Sequence, residues 1–221
     1  MALGFTYSAG GGDFLPIVKY DARAGRIFRV DRADGVSTPV DITRNFKAVV
    51  DFENLEVGFI NFNTGGAPDF QMVPLGSAMP DKRSPNHKQG LRVLVKLGAD
   101  AGGDVRELSS CAGAFLRGFD ALHTAYEAQS GENEGKLPVV GLKDTVPITS
   151  GSGDKKSTNY EPVFEILQWV GRPKDLTSQP RGGAGATSAA PKATPPATGA
   201  TRVAPPPTAR TPEPAGAEDF G

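Results

Sequence analysis

The chain is poor in the residues that most enzymes and metal sites are built from. It has one cysteine, Cys111, so no disulfide can form within it, as expected of a protein in a reducing compartment. It has two histidines, His87 and His123, far apart in sequence. One Cys and two distant His do not make a Cys/His metal site. No Gly-x-Ser-x-Gly elbow occurs. The stretch 151–158 resembles a phosphate loop only superficially, because Lys155 stands where a glycine should precede the Lys-Ser step. Scattered carboxylates such as Asp51 and Glu53 read as strand-end acids facing water. No catalytic residue, metal ligand or cofactor is expected, and the chain is not expected to be an enzyme.

Large charge is also missing. The formal net charge is −1, which excludes a simple polycation that coats nucleic acid. It leaves room for a local basic groove, since distribution rather than total decides phosphate contact. No apolar run approaches the roughly 18 residues that span a bilayer. The start, Met1 to Phe5, lacks a basic region followed by an apolar one, so no signal peptide is expected. No internal repeat is visible.

What is present is a strand-rich body between two low-complexity ends. Residues 1–14 are small and Gly-rich and read as a flexible arm. Residues 15–176 carry short apolar segments separated by Gly and Pro. Strands are expected over 15–20, 26–31, 46–52, 57–62, 70–73, 91–97, 137–148 and 160–170. The clearest is 91–97: Leu91, Val93, Val95 and Leu97 point one way, Arg92 and Lys96 the other, the period of a half-buried antiparallel strand. One helix is expected over 109–128, where Phe115, Leu116, Phe119, Leu122 and Tyr126 recur at helical spacing. From 177 the chain turns to Pro, Ala, Gly and Thr and ends in Glu218-Asp219-Phe220-Gly221. That composition is too poor in apolar residues to pack, so 177–221 reads as a disordered tail with an acidic, aromatic tip.

Many short strands with one late helix fit a mainly β fold, an antiparallel barrel of OB type with a helix between late strands; a β-sandwich leaves the same trace.

Three basic patches stand out. The first runs from Lys19 to Lys47 and includes Arg23, Arg26, Arg29, Arg32 and Arg44, interleaved with aspartates that would turn it into ordinary salt bridges. The second comprises Lys82, Arg83, Lys88, Arg92 and Lys96, against Asp81 alone. The third is Lys155, Lys156, Arg172 and Lys174. Such cations can neutralise phosphates and release counterions. Unpaired bases also need aromatic platforms. Candidates are Phe28, Phe59, Phe62, Tyr160 and Trp169. Strand alternation groups Arg26, Phe28 and Val30 on one face, opposite Ile27 and Arg29.

In Phe52-Glu53-Asn54-Leu55-Glu56-Val57-Gly58-Phe59-Ile60, in Gly135-Lys136-Leu137-Pro138-Val139-Val140 and in Trp169-Val170-Gly171-Arg172-Pro173, the chain resembles phage-encoded single-stranded DNA-binding proteins of the OB-fold type. The resemblance implies a non-enzymatic, sequence-tolerant binder of single-stranded DNA in phage replication or recombination, working in the host cytoplasm. From the patches and platforms themselves, the expected site comprises Lys19, Arg26, Phe28, Lys82, Arg83, Lys88, Arg92, Lys96, Tyr160 and Trp169. The resemblance also implies that Glu218, Asp219 and Phe220 recruit replication or recombination proteins. The tip departs from that pattern, with only two acids before the Phe and Gly221 after it. Further copies of the chain are a compatible partner; a membrane is not. Two other classes fit the same residues: a phage structural or assembly protein with a flexible tail, and an RNA-binding module.

Overall fold

The computed structural model describes residues 15–65, 67–153 and 156–177. The expected N-terminal arm, Lys155 and the tail with Glu218, Asp219 and Phe220 lie outside the described residues.

Among the described residues the fold is mainly β, with one α-helix. In chain order the strands are β1 (Ile17–Asp21), β2 (Arg26–Ala33), β3 (Val36–Asp41), β4 (Lys47–Val50), β5 (Glu56–Asn61), β6 (Asp69–Pro74), β7 (Lys88–Leu97), β8 (Val105–Ser110), β9 (Lys136–Ser150) and β10 (Ser157–Gly171); the helix α1 (Gly113–Ser130) precedes β9. They form one sheet in the order β10-β9-β4-β7-β8-β1-β2-β3. The long β7 is shared. Its first half pairs with β5, which carries β6 as a hairpin, and its second half pairs with β4. Every pairing is antiparallel except β1 with β8.

The expected alternation on β7 is present: Leu91, Val93, Val95 and Leu97 are buried, and Arg92, Leu94 and Lys96 face outward. The inner face, with Val18, Tyr20, Ile27, Ala48, Val50 and Leu108, packs against Phe115, Phe119 and Leu122 of α1 in one core.

The sheet is open, which corrects the expected closed barrel. Its two end strands, β10 and β3, do not pair. The sheet curls until β10 meets the β1–β2 turn at two bonds: Tyr160 N donates to Ala22 O at 2.6 Å, and the Tyr20 hydroxyl donates to Tyr160 O at 2.8 Å. The reason lies in α1, which packs along β10. A Cβ on Gly118 would stand 2.1 Å from Pro162 O, so helix and strand touch at a spacing only glycine allows. Pro162 also has no N–H to offer a further strand.

Two strands differ from the expected set. β3 follows Asp34 (φ 51°) and Gly35 (φ 77°), the paired positive φ of a tight hairpin turn. β8 occupies 105–110, so the helix begins at Gly113 and not near Ser109.

Tyr20 gives a measurable mark of this contact between β1 and β10. Burial, the largest cause, with help from the nearby Asp21 and Glu161 carboxylates, pushes its phenol up to about 12. The unfolded chain ionises Tyr20 from about pH 10, the folded chain only two units later. Stability is therefore unaffected by this group below about pH 10 and falls as pH rises from there to about 12, by about 2 kcal/mol. Urea denaturation across that range should show the slope, and Tyr20→Phe should reduce it, leaving the part due to Tyr126, whose phenol is also raised by burial. An unchanged slope in the variant would disprove the assignment.

Candidate nucleic-acid interface

The convex face of the sheet carries the side chains left out of the core. On β1 and β2, Val18, Tyr20 and Ile27 point inward, so Lys19, Arg26 and Phe28 point outward. Lys19 and Phe28 are direct cross-strand partners. Lys19 has no ion-pair partner among the described residues, whereas Arg26 is bound to Asp41 at 2.8 Å. The register of Val18 with Leu108, continued by one residue, sets Lys19 beside Ser109, and Ser109 is opposite Arg92. A transverse row therefore runs Phe28, Lys19, Ser109, Arg92, with Glu56 beyond. Three inter-strand spacings make it about 14 Å long.

At the far end of the row is a second aromatic group. The Arg92 guanidinium lies over the Phe70 ring, 5.2 Å from its centroid, while its Nε donates to Glu56 at 2.6 Å. Phe62 meets Phe70 edge to face at 6.1 Å and is itself exposed. Lys88, opposite Ile60 on the adjoining strand, is exposed and has no ion-pair partner among the described residues. The row thus has a ring at each end, Phe28 and the Phe70–Phe62 pair, with cations between. Phe70 was missed as a site residue because a lone Phe in a short strand reads as core; the register sets it opposite Ile60, and only the reach of the Arg92 side chain brings a cation over its ring.

The other expected cations are differently employed. Lys82 is exposed on the 75–87 loop, without an ion-pair partner among the described residues. Arg83 holds both oxygens of Asp69, at 2.9 and 3.1 Å. Asp69 also receives the buried His87, whose Nε2 is 3.1 Å from Oδ2 and whose Nδ1 is 2.8 Å from the Ser84 hydroxyl. The backbone turn from Ser84 O to His87 N sets the Ser–His contact, so the group pins the basic loop to β6. Lys96 faces outward as expected but is paired with Asp175. That pair belongs to a strap, residues 172–177, which crosses to β7 from the end of β10. Arg172 clamps the strap: its guanidinium grips both oxygens of the fully buried Asp51 at 2.7 and 2.8 Å, reaches Glu53 at 2.7 Å and donates to Leu176 O at 3.1 Å. The hydrogen bonds to Asp51 raise the Arg172 guanidinium further above its already high value. Leu176 beneath is fully buried. Lys96 is thus a strap anchor.

Trp169 stands apart from the row. It stacks on Tyr126, rings 5.7 Å apart, and Tyr126 stacks on Phe52 at 4.6 Å. One face of the indole is covered, and Asp51 and Glu53 act electrostatically on Tyr126 there. Two carboxylates against one guanidinium is a poor place for a phosphate. Tyr160 packs its ring on Gly25, beside Arg26 at the end of β2.

With this geometry in place, the chain matches no known family, no curated protein and no solved structure. Among the described residues, no helix is long and apolar enough to cross a membrane.

Proposed function

We propose that the protein binds single-stranded nucleic acid, DNA first, without catalysis, on the convex face of β2, β1, β8, β7 and the β5–β6 hairpin. The observation that carries this reading is the outward pair Lys19–Phe28: a cation without an acid partner among the described residues, directly across from a half-buried ring on the outer face. Arg92 continues that row, and four residues further along β5 and β7 lie Phe70, under the Arg92 guanidinium, with Phe62 and Lys88. Cations at strand spacing meet phosphates, and the rings accept bases that are not already stacked in a duplex. Within this reading the curled, unclosed sheet stands in for the closed barrel of OB-type binders, offering the same kind of strand face. The resemblance to phage single-stranded DNA-binding proteins supports a role in replication or recombination, with Glu218, Asp219 and Phe220 offered to partner proteins.

The test is fluorescence anisotropy with labelled oligo-dT, oligo-U and a duplex of equal length across a salt series. Oligo-dT should bind tightest, with log K falling about 0.7 per phosphate contacted for each unit of log salt. The sole tryptophan should report little, because Trp169 lies away from the row. Equal affinity for the duplex would remove the stacking role. Tighter oligo-U binding would turn the assignment to RNA, through the 2′-hydroxyl. No binding to any of them, together with a uniform large oligomer, would favour an assembly role instead.

A further inference from the structure

An open cleft of about 460 Å3 lies between the β1–β2 turn and the 3-10 turn Thr43–Asn45. Gly25, Arg26, Asp41, Thr43, Arg44 and Asn45 line it. We propose that this cleft seats a nucleotide through its phosphate, with Arg44 as the principal contact. The inference rests on the reading of the convex face as a strand-binding surface, and it extends that surface past Phe28.

The argument is one of unspent hydrogen bonds. Asp41 is the only acid in the lining, and its carboxylate is already engaged: Oδ1 accepts from Thr43 N at 2.9 Å and from the Thr43 hydroxyl at 2.5 Å, and Oδ2 accepts from Arg26 Nη1 at 2.8 Å. The Thr43 hydroxyl is also bonded to Ile27 N. What remains uncommitted is the Arg44 guanidinium, the rest of the Arg26 guanidinium and the Asn45 carboxamide; neither the Arg44 nor the Asn45 side chain has a partner among the described residues. Guanidinium groups only donate, and in a planar fork that matches phosphate oxygens. The cleft therefore asks for an anionic ligand rich in acceptors. Its volume falls within the usual range for small-molecule sites and exceeds the needs of a bare phosphate. Arg26 and Phe28 stand two residues apart on the same strand face, about 7 Å. A strand whose base lies on Phe28 would bring a neighbouring phosphate to the cleft.

The experiment uses the full-length, 15N-labelled chain, titrated separately with dTMP, thymidine and inorganic phosphate. Shifts of the Thr43, Arg44 and Asn45 amides are followed. dTMP should move them saturably, thymidine should not, and inorganic phosphate should bind more weakly than dTMP. Arg44→Ala should weaken dTMP at least tenfold, and Arg44→Lys should restore part of the loss. Arg44 is exposed and its side chain makes no hydrogen bond or ion pair among the described residues, so the fold should be unaffected. Unmoved amides, or unchanged dTMP binding by Arg44→Ala, would overturn the proposal. Inorganic phosphate binding as tightly as dTMP would overturn its nucleotide part. Oligo-dT binding through Lys19 and Phe28 with a silent cleft would sink this inference alone. dTMP seated in the cleft of a protein that ignores oligo-dT would leave this inference standing and sink the strand reading.

Discussion

Replacing Arg172 by alanine should destabilise the body by about 3 kcal/mol or more. Asp51 is fully buried, and Arg172 supplies a bidentate partner to it; the remaining side-chain donor is the Asn54 carboxamide at 2.9 Å. Removing the guanidinium strands a carboxylate out of water, a cost of about 3–5 kcal/mol, here toward the low end because Arg172 itself is one-third exposed. For a body of this size each kcal/mol lowers Tm by roughly 2–4 °C, so a fall of about 10 °C is expected. Arg172→Lys should recover little, since an ammonium cannot span both carboxylate oxygens. The double variant Asp51→Asn with Arg172→Ala should be closer to the parent than Arg172→Ala alone. A thermal melt of Arg172→Ala within 2 °C of the parent would show that the clamp carries no weight. The same variant frees the strap, so Lys96 should become more accessible to amine-modifying reagents.

The largest effect on binding should come from Lys19→Glu combined with Phe28→Ala. Loss of one stacked base is worth about 1–3 kcal/mol, and charge reversal replaces an attraction with a repulsion at the centre of the row. Together they should weaken oligo-dT by roughly 100-fold at low salt, about 3 kcal/mol. Both side chains point outward from β1 and β2, so the melting temperature should stay near the parent value and the loss can be read as binding. Trp169→Phe is the matched control, a change of ring outside the row, and should leave affinity unchanged. If Trp169→Phe lost as much as the double variant, the interface would lie at the strap end of the molecule instead.

Local patterns made some of this legible and distant partners hid the rest. The strict alternation of β7 and the helical recurrence of Phe115, Phe119 and Leu122 are properties of neighbouring residues, and both elements formed where those patterns lie. The grouping of Arg26 with Phe28, opposite Ile27, follows from strand period alone and holds in the structure. β8 is different. Arg106 and Glu107 are adjacent charged residues, and both are buried. Burial of Arg106 depends on Asp31 at 2.6 Å and Asp104 at 2.9 Å, the first of them 75 residues away. Two adjacent charged residues break the apolar alternation by which a strand is recognised, so no strand was expected there. β3 was obscured by its polar, exposed residues and Pro39, although Asp34-Gly35 carries the hairpin signal in plain sight.

The site divides in the same way. Charge counting places five cations between Lys82 and Lys96 but says nothing of Asp69, Glu56 and Asp175. These acids engage three of the cations from 14, 36 and 79 residues away. That the sheet stays open was equally out of reach, because it turns on α1 fitting against Pro162 through Gly118.

Pro39 has a consequence beyond the monomer. β3 is one free margin of the sheet, and a free margin invites a second sheet to extend it. A proline there withholds one amide, and the surrounding Val36, Ser37 and Thr38 stay in water. Copies of this protein lined up shoulder to shoulder on a polymer would meet at very high local density. If the protein coats a strand as proposed, a margin that refuses to zip would keep such an array from setting into a fibre, so that neighbours could still part when the polymer was needed elsewhere.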